Sequence, residues 1–330
     1  MLGGTRFTGP FLVRKLAAAG HDVMVFHRGE HEVDLPAAHV HGDFAQFDRH
    51  LAELRAFQPA TVIDMLAVRA ADTARVGAFA GTAHQAVVLS SADVYRAFGR
   101  IWRSEPGPPD PVPLTEGAPL RNQVTDADYD KIGVEAAARE LDLPVTVLRL
   151  TGIHGPGDFQ HRLWPYLKRM DDARPAILVD ETMASWRWAR VYAEDAAHAT
   201  ALAATDERAA GRTYNVASEN ALRETVWIAE IARTVGWRGR LVPVRSALLP
   251  DYLREGRFDL RQDYVVDSTR IRQELGYQET VDAAEALRRT IDWERANPPG
   301  PEHPRPEFAD RFDYDAEDEA LIRVLGSTPR

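Results

Sequence analysis

The chain has no cysteine in its 330 residues. Disulfides, thiolate-bound metals and cysteine nucleophiles are therefore excluded. No run approaches the roughly eighteen apolar residues of a membrane-spanning helix. No charged and then apolar leader precedes the first glycines, which predicts no signal peptide and a cytoplasmic protein without membrane attachment. Positive charge is in deficit: 40 Lys+Arg stand against 50 Asp+Glu, a formal net charge of −10. That balance argues against broad nucleic-acid binding. Most of a first strand is also missing. A doubly wound sheet normally opens on about five or six apolar residues before its first glycine turn. Here only Met1 and Leu2 stand there. Either the start lies upstream or the central strand is nearly absent, and the second case weakens both the sheet and the site it carries.

What is present begins with Gly3-Gly4-Thr5-Arg6-Phe7-Thr8-Gly9, followed at once by an apolar helix from Pro10 to Gly20. Glycines let a backbone approach a pyrophosphate, and a helix start offers unpaired N–H groups and a positive dipole end. The spacing Gly3-x-x-Arg6-x-x-Gly9 puts an arginine where the usual fingerprint has its middle glycine. A plain strand–turn–helix corner has a similar look.

Beyond it, strands and helices alternate. His21 to Phe26, Thr61 to Ala67, Gln85 to Ser91 and Pro144 to Leu150 read as buried strands. Gln46 to Phe57, Ala70 to Gly81 and Asp126 to Glu140 read as helices between them. Continuous apolar strands separated by helices predict an α/β fold, a parallel sheet covered on both faces. Gly99 to Pro119 is rich in proline and reads as a loop, a lid or substrate edge. After Gly152 the alternation breaks down. Phe159 to Met170 looks helical, and Glu194-Asp195 can cap a helix from Ala196 to Ala204. The expected division is a dinucleotide-binding domain over 1–152, rejoined by parts of 191–218, a substrate lobe over 153–297, and an arm or loosely packed tail over 298–330.

The second strand ends at His27-Arg28-Gly29. An acid at that place would bind both ribose hydroxyls of NAD. There is none, and Arg28 can pair with the 2′-phosphate of NADP. NADP is the expected cofactor and NAD the alternative. The plain reading of Arg28 is an exposed residue in a turn.

These pieces resemble, in order, an extended short-chain dehydrogenase/reductase of the NAD(P)-dependent epimerase/dehydratase superfamily. The likeness runs from Gly3 to about Glu294. It is carried by the glycine turn, Gly42-Asp43, Ser90-Ser91-Ala92-Asp93-Val94-Tyr95, Leu148 to Asp158, Tyr192 to Ala196, Tyr214-Asn215-Val216 and Leu275-Gly276-Tyr277. The resemblance implies a Rossmann-type sheet with a smaller C-terminal substrate lobe and a homodimer. It implies that Gly3, Thr5, Arg6, Phe7 and Gly9 hold the pyrophosphate. Asp43 would bind the adenine amino group, Phe44 would pack on that ring, and Ala67 would line the cofactor. Ser91 would hold the reacting oxygen, unless it merely ends the strand and caps the next turn.

The family places its catalytic tyrosine and lysine four apart on one helix. Here the candidates are Tyr129 and Lys131, two apart. On a regular helix they would point roughly 200° from each other. Glu135, four after Lys131, matches an acid common in the family and makes Lys131 the counterpart of the lysine; the tyrosine place then falls on Ala127. If Tyr129 is the tyrosine, the lysine place falls on Gly133. Three outcomes stay open. The protein uses another acid (Tyr129, Tyr95 or His154), it binds cofactor without turnover as a regulator or scaffold, or it resembles the RNA-binding branch of the superfamily, which the acidic charge disfavours.

The second half should hold a small polar, sugar-like substrate. Trp186-Arg187-Trp188-Ala189-Arg190, with His154, His161 and Arg162, is the densest basic and aromatic set. Arginine among aromatics suits a phosphate, nucleotide-sugar or carboxylate ligand; core tryptophans with paired arginines would read the same way. Asp93, Tyr95, His154, Arg162 and Arg187 are the candidate substrate contacts. His154 and His161 lack a matching carboxylate pattern, so no metal is expected.

Overall fold

A computed structural model describes residues 1–31, 33–123, 128–300 and 312–326. The first half contains α1 (Thr8–Ala18), β1 (Met24–His27), β2 (Ala38–His41), α2 (Leu51–Ala56), β3 (Thr61–Asp64), α3 (Ala74–Gly77), β4 (Gln85–Ser91), α4 (Arg96–Ile101), α5 (Lys131–Arg139) and β5 (Val145–Leu150). Next come β6 (Gly152–His154), α6 (Trp164–Asp171), β7 (Ala176–Asp180), α7 (Glu181–Ser185), β8 (Arg190–Tyr192), α8 (Ala193–Thr205) and β9 (Thr213–Val216). The described chain closes with α9 (Glu224–Val235), β10 (Arg240–Val244), α10 (Thr269–Leu275), α11 (Ala283–Ala296) and α12 (Tyr314–Leu325).

The main sheet runs β2, β1, Leu2, β3, β4, β5, β9, with every neighbouring pair parallel. This is the expected doubly wound α/β sheet. Leu2 bridges Phe26 on one side and Asp64 on the other. The Leu2 N–H donates to Ile63 O at 2.8 Å and the Gly3 N–H to Phe26 O at 2.9 Å. Met1 and Leu2 thus form the central position, and a cavity of about 490 Å³ opens behind them between β1 and β3.

Side chains alternate across a strand, so a buried sheet feeds two cores. Val87 and Leu89 pack with Leu12 and Val13 of α1 and Ala197 and Ala201 of α8. Ala86 and Val88 pack on the other face with Leu54, Val76, Val134 and Ala138. A third core joins α6, α7, α9 and α11 through residues such as Leu167, Ala184, Ile228 and Ile291. No helix of the described residues is long and apolar enough to cross a membrane.

Several boundaries differ from the sequence reading. Ala70–Thr73 forms a tight 3-10 turn, leaving only four α-helical residues where twelve were expected. The helix expected from Phe159 begins at Trp164, because His161 takes a left-handed φ of 47° and Pro165 fits only a helix start. Glu194 and Asp195 lie inside the first turn of α8, and Asp195 accepts from Thr280 N at 2.6 Å instead of capping. The start of the proline-rich stretch is the end of α4. Part of the expected tail is α12, whose Ala320 and Leu321 are buried and whose Glu317 pairs with the buried Arg169.

Candidate active site

The carboxyl ends of parallel strands are where this kind of sheet leaves a crevice. A cleft of about 1080 Å³ opens there, lined by Gly3 to Thr8, His27 to His31, Phe44, Leu66, Leu89 to Ser91, Asp93, Tyr129 and Lys131 at one end. The glycine turn is a backbone cradle. A Cβ on Gly9 would sit 2.3 Å from Gly4 O, so α1 approaches the turn only because residue 9 is glycine. Gly3 adopts φ +76°. Phe7, at the N-cap of α1, gives no capping side chain, and no acid stands in the first turn. The donors and positive dipole end of an eleven-residue helix are therefore available to an anion. The cradle fits a pyrophosphate, and the residues present fit a dinucleotide.

The remaining cofactor candidates are placed as follows. Arg28 lines the cleft, exposed and paired with Glu30 at 2.8 Å. Phe44 also lines it, edge-on to Phe26 at 4.8 Å and under the Arg75 guanidinium at 5.1 Å. Asp43 is exposed beside it, with one carboxylate oxygen accepting from Ala45 N at 2.9 Å. Ala67 is fully buried and reaches the site only through its carbonyl.

The tyrosine–lysine geometry corrects the helical-wheel expectation. The helix expected from Asp126 starts at Lys131; residues 124–127, Ala127 among them, lie outside the described residues. Asp130 is the N-cap, its side chain accepting from Gly133 N at 2.9 Å. Tyr129 therefore precedes the helix, and the 100° per residue rule does not govern it. Both side chains enter the same cleft, with Lys131 Nζ 5.8 Å from the centre of the Tyr129 ring. The Tyr129 hydroxyl lies beside Ser91 and the Asp93 carboxylate. Ser91 Oγ also accepts from Asp93 N at 3.2 Å. Lys131 Nζ donates to Ala67 O at 2.6 Å and Leu89 O at 2.9 Å.

Burial sets the proton affinities. It raises the Tyr129 hydroxyl far above its ordinary value, and the neighbouring Asp93 adds to the rise. Burial also raises the Asp93 carboxyl, despite Tyr129, Arg121 and Lys131 around it. Desolvation lowers the Lys131 ammonium, with Asp93 and Asp64 opposing. The resting site holds a protonated phenol beside a carboxyl of raised proton affinity.

Behind the cleft, Glu135 lies one helical turn past Lys131 and is fully buried. It accepts from Ser90 Oγ at 2.8 Å and from Arg149 Nε and Nη2 at 2.9 and 2.7 Å. That clamp fixes α5 against β4 and β5, and so fixes Lys131. Tyr95 belongs to the same network: its hydroxyl donates to Asn215 at 2.6 Å and accepts from Arg149 at 3.0 Å. Fully buried, Tyr95 is a framework residue rather than a cleft residue. His154 is also buried, against Thr290 Oγ1 at 3.1 Å. Arg162 lines the cleft, held by Asp158 at 2.5 Å and Ile153 O at 2.8 Å. Arg187 pairs with Asp263 at 2.7 Å, outside the lining, while its neighbours Trp186 and Trp188 face in, their rings 5.7 Å apart.

The far end of the cleft holds residues the sequence reading did not single out: Tyr166, Glu224, Glu255, Arg257 and Tyr264. The Tyr264 ring lines the cleft while its hydroxyl is buried with no hydrogen-bond partner among the described residues. None of the five belongs to a local motif, and only the return of the chain to the cleft reveals them.

The model of the NAD-dependent epimerase/dehydratase family matches residues 1–217. A 2′-dehydrokanamycin reductase of Streptomyces kanamyceticus is 29% identical over 230 residues, 67% of this chain and 61% of the relative. A dTDP-glucose 4,6-dehydratase of Streptomyces griseus is 28% identical over 186 residues, 54% of this chain and 52% of the relative. The chain thus spans a little over half the length of these relatives. Among solved structures, WbmG of Bordetella bronchiseptica, in complex with NAD and UDP, superposes with a TM-score of 0.68 at 18% identity, covering 89% of this chain and 94% of that one. That likeness is one of fold.

Proposed function

Because the chain belongs to the NAD-dependent epimerase/dehydratase family, we propose that it is an NAD(P)-dependent oxidoreductase or epimerase/dehydratase acting on a small polar, sugar-like substrate. The observation that carries this is the meeting of Tyr129, Ser91 and Lys131 in one cleft with the glycine cradle. The same observation favours catalysis over a cofactor-binding regulator. The relatives named for a reductase and for a dTDP-glucose dehydratase, and WbmG with its UDP, support a sugar or nucleotide-sugar substrate.

In this reading Gly3, Thr5, Arg6, Phe7 and Gly9 hold the pyrophosphate, Asp43 and Phe44 the adenine, and Arg28 the 2′-phosphate of NADP. The bound nicotinamide supplies or accepts a hydride. Lys131 orients the ribose next to it from the carbonyls of Ala67 and Leu89. Ser91 donates to the substrate oxygen. Tyr129, which keeps its proton at rest, gives it to that oxygen during reduction. In the reverse direction its proton has an acceptor at hand in Asp93. Tyr264 and the Trp186–Trp188 pair form the substrate wall, with Arg162 nearby. The cofactor domain is taken as 1–152 with the returning 191–218, and the substrate lobe as 153–297. The protein acts as a cytoplasmic homodimer, with no nucleic-acid or membrane partner.

The test is turnover with NADPH or NADH over a panel of keto-sugars and sugar nucleotides. Products are read by NMR, so that a self-regenerating cofactor is not missed. Product formed by the wild-type chain and lost in Tyr129→Phe is expected. Cofactor binding without product across the panel would overturn the catalytic reading.

A further inference from the structure

At the edge of the sheet, β1 and β2 pair in parallel with His27 opposite His41 and Val25 opposite His39. Residues opposite one another share a face, and so do residues two apart on one strand. The register therefore gathers His27, His39 and His41 on one face. One ring nitrogen from each lies within 4.8 Å of the other two. The His27 and His41 rings are 4.6 Å apart, and those of His27 and His39 are 5.0 Å apart. His27 Nε2 and His39 Nδ1 are 2.8 Å apart, a hydrogen bond that needs a lone pair on one of the two rings. Those two imidazoles are thus not both protonated. Three imidazoles with ring nitrogens converging within 4.8 Å are a ligand set for a borderline metal, not for an anion, which would require a proton on each.

We propose that His27, His39 and His41 form a zinc-binding site, with three imidazole nitrogens and a fourth, open position for water. A tetrahedral zinc with Zn–N of about 2.0–2.1 Å needs nitrogens about 3.4 Å apart. Small side-chain rotations meet that distance: His41, at the exposed end of β2, exchanges its present contacts for the metal, and His39, half-buried, draws back from the 2.8 Å contact with the buried His27. Zinc displaces the proton shared by His27 and His39. Gly29 N–H now points at His27 Nδ1 at 3.2 Å, so His27 carries the proton on Nε2. On binding through Nε2 the ring changes tautomer: the Nε2 proton leaves to solvent, Nδ1 takes one up from solvent and gives up the long contact with Gly29 N–H, and the ligand stays a neutral imidazole with no net proton released. Magnesium, which prefers oxygen ligands, does not suit the site. His27 also lines the cofactor cleft, so the metal would sit at its adenosine end.

The experiment is calorimetric titration of the tag-free full chain with Zn²⁺, repeated with His39→Asn, His41→Asn and the double variant. One Zn²⁺ per chain is expected, with affinity falling in each single variant by more than the roughly 10–100-fold that loss of a supporting group behind a ligand costs, and saturable binding lost in the double variant. Magnesium should give no saturable heat. Because variants can perturb an edge strand, the Co²⁺ form of the wild-type chain is examined as well; a tetrahedral visible spectrum is expected. No saturable Zn²⁺ binding, equal binding by the double variant, or an octahedral Co²⁺ spectrum would each overturn the proposal.

Discussion

Tyr129 stands one residue before the N-cap of α5 and Lys131 is the first residue of the helix, so two side chains two positions apart meet in one cleft, 5.8 Å from ring centre to Nζ. A pair four apart on a helix solves the same geometric problem by periodicity. Here a helix boundary solves it, with Asp130 as the pivot.

Removing the phenol should cost chemistry without costing the fold. Tyr129→Phe is expected to lower kcat by about 10²–10⁴-fold, the range for a lost general acid, and to leave cofactor affinity unchanged. Lys131→Ala behaves differently. It strips the donor from Ala67 O and Leu89 O and should lower stability by about 1–3 kcal/mol while weakening cofactor binding. Steady-state kinetics, cofactor titration and urea unfolding separate the two variants. A Lys131→Ala protein with unchanged affinity and stability would remove this lysine from the site.

Gly9→Ala should abolish tight cofactor binding. The added methyl would meet backbone at Gly4 O, at 2.3 Å, and backbone cannot rotate aside as a side chain can. The turn must open, at a cost of about 1–3 kcal/mol in stability. Cofactor titration by fluorescence checks it, and wild-type affinity in the variant would refute the cradle.

Arg28→Asp tests the choice between the two nicotinamide cofactors. A charge-assisted pair with a 2′-phosphate contributes about 1.5–3 kcal/mol. NADP should therefore lose roughly tenfold or more in affinity, and NAD far less. Equal losses for both would rule out the 2′-phosphate role.

His154 makes the fold acid-sensitive. Burial, with help from the Arg190 and Arg162 charges, pulls its imidazole down to about 3 from 6.5. The unfolded chain takes up a proton near pH 6.5, whereas the folded chain declines it until about 3. Between these values the unfolded state binds one more proton, so stability is full above 6.5 and falls as pH drops, by about 1.4 kcal/mol per pH unit. In His154→Phe that part of the slope should vanish. Urea midpoints measured down that window check it; an unchanged slope would mean that His154 is protonated in the folded chain.

Much of the sheet was legible because buried parallel strands write themselves as short apolar runs, as Val87 to Leu89 and Val145 to Leu148 do. The family resemblance singled out Lys131 through Glu135, four residues on, and the structure places that acid in a clamp on Ser90 and Arg149. The meeting of Tyr129 with Lys131 was hidden by a boundary. Asp130 reads equally as a helix interior or as a cap, and only the hydrogen bond to Gly133 decides. Tyr95 and His154 looked reactive by type, but sequence does not reveal burial behind a strand end. The histidine cluster was half visible. His39-x-His41 shares a strand face, but the register that brings His27 opposite is fixed by neither strand alone.

The join between β1 and β3 has a dynamic consequence. Backbone hydrogen bonds tie Met1–Gly3 to Phe26 on one side (Phe26 N to Met1 O and Gly3 N to Phe26 O, both 2.9 Å) and to Ile63 and Met65 on the other, at 2.8 and 3.1 Å. The glycine cradle follows this join directly, with Gly3 belonging to both. A dinucleotide seated on the cradle would therefore restrain local opening of the sheet beneath it. Slower hydrogen exchange at the amides of Phe26 and Met65 on adding cofactor, with Val88 and Leu148 unchanged, would report binding from inside the sheet.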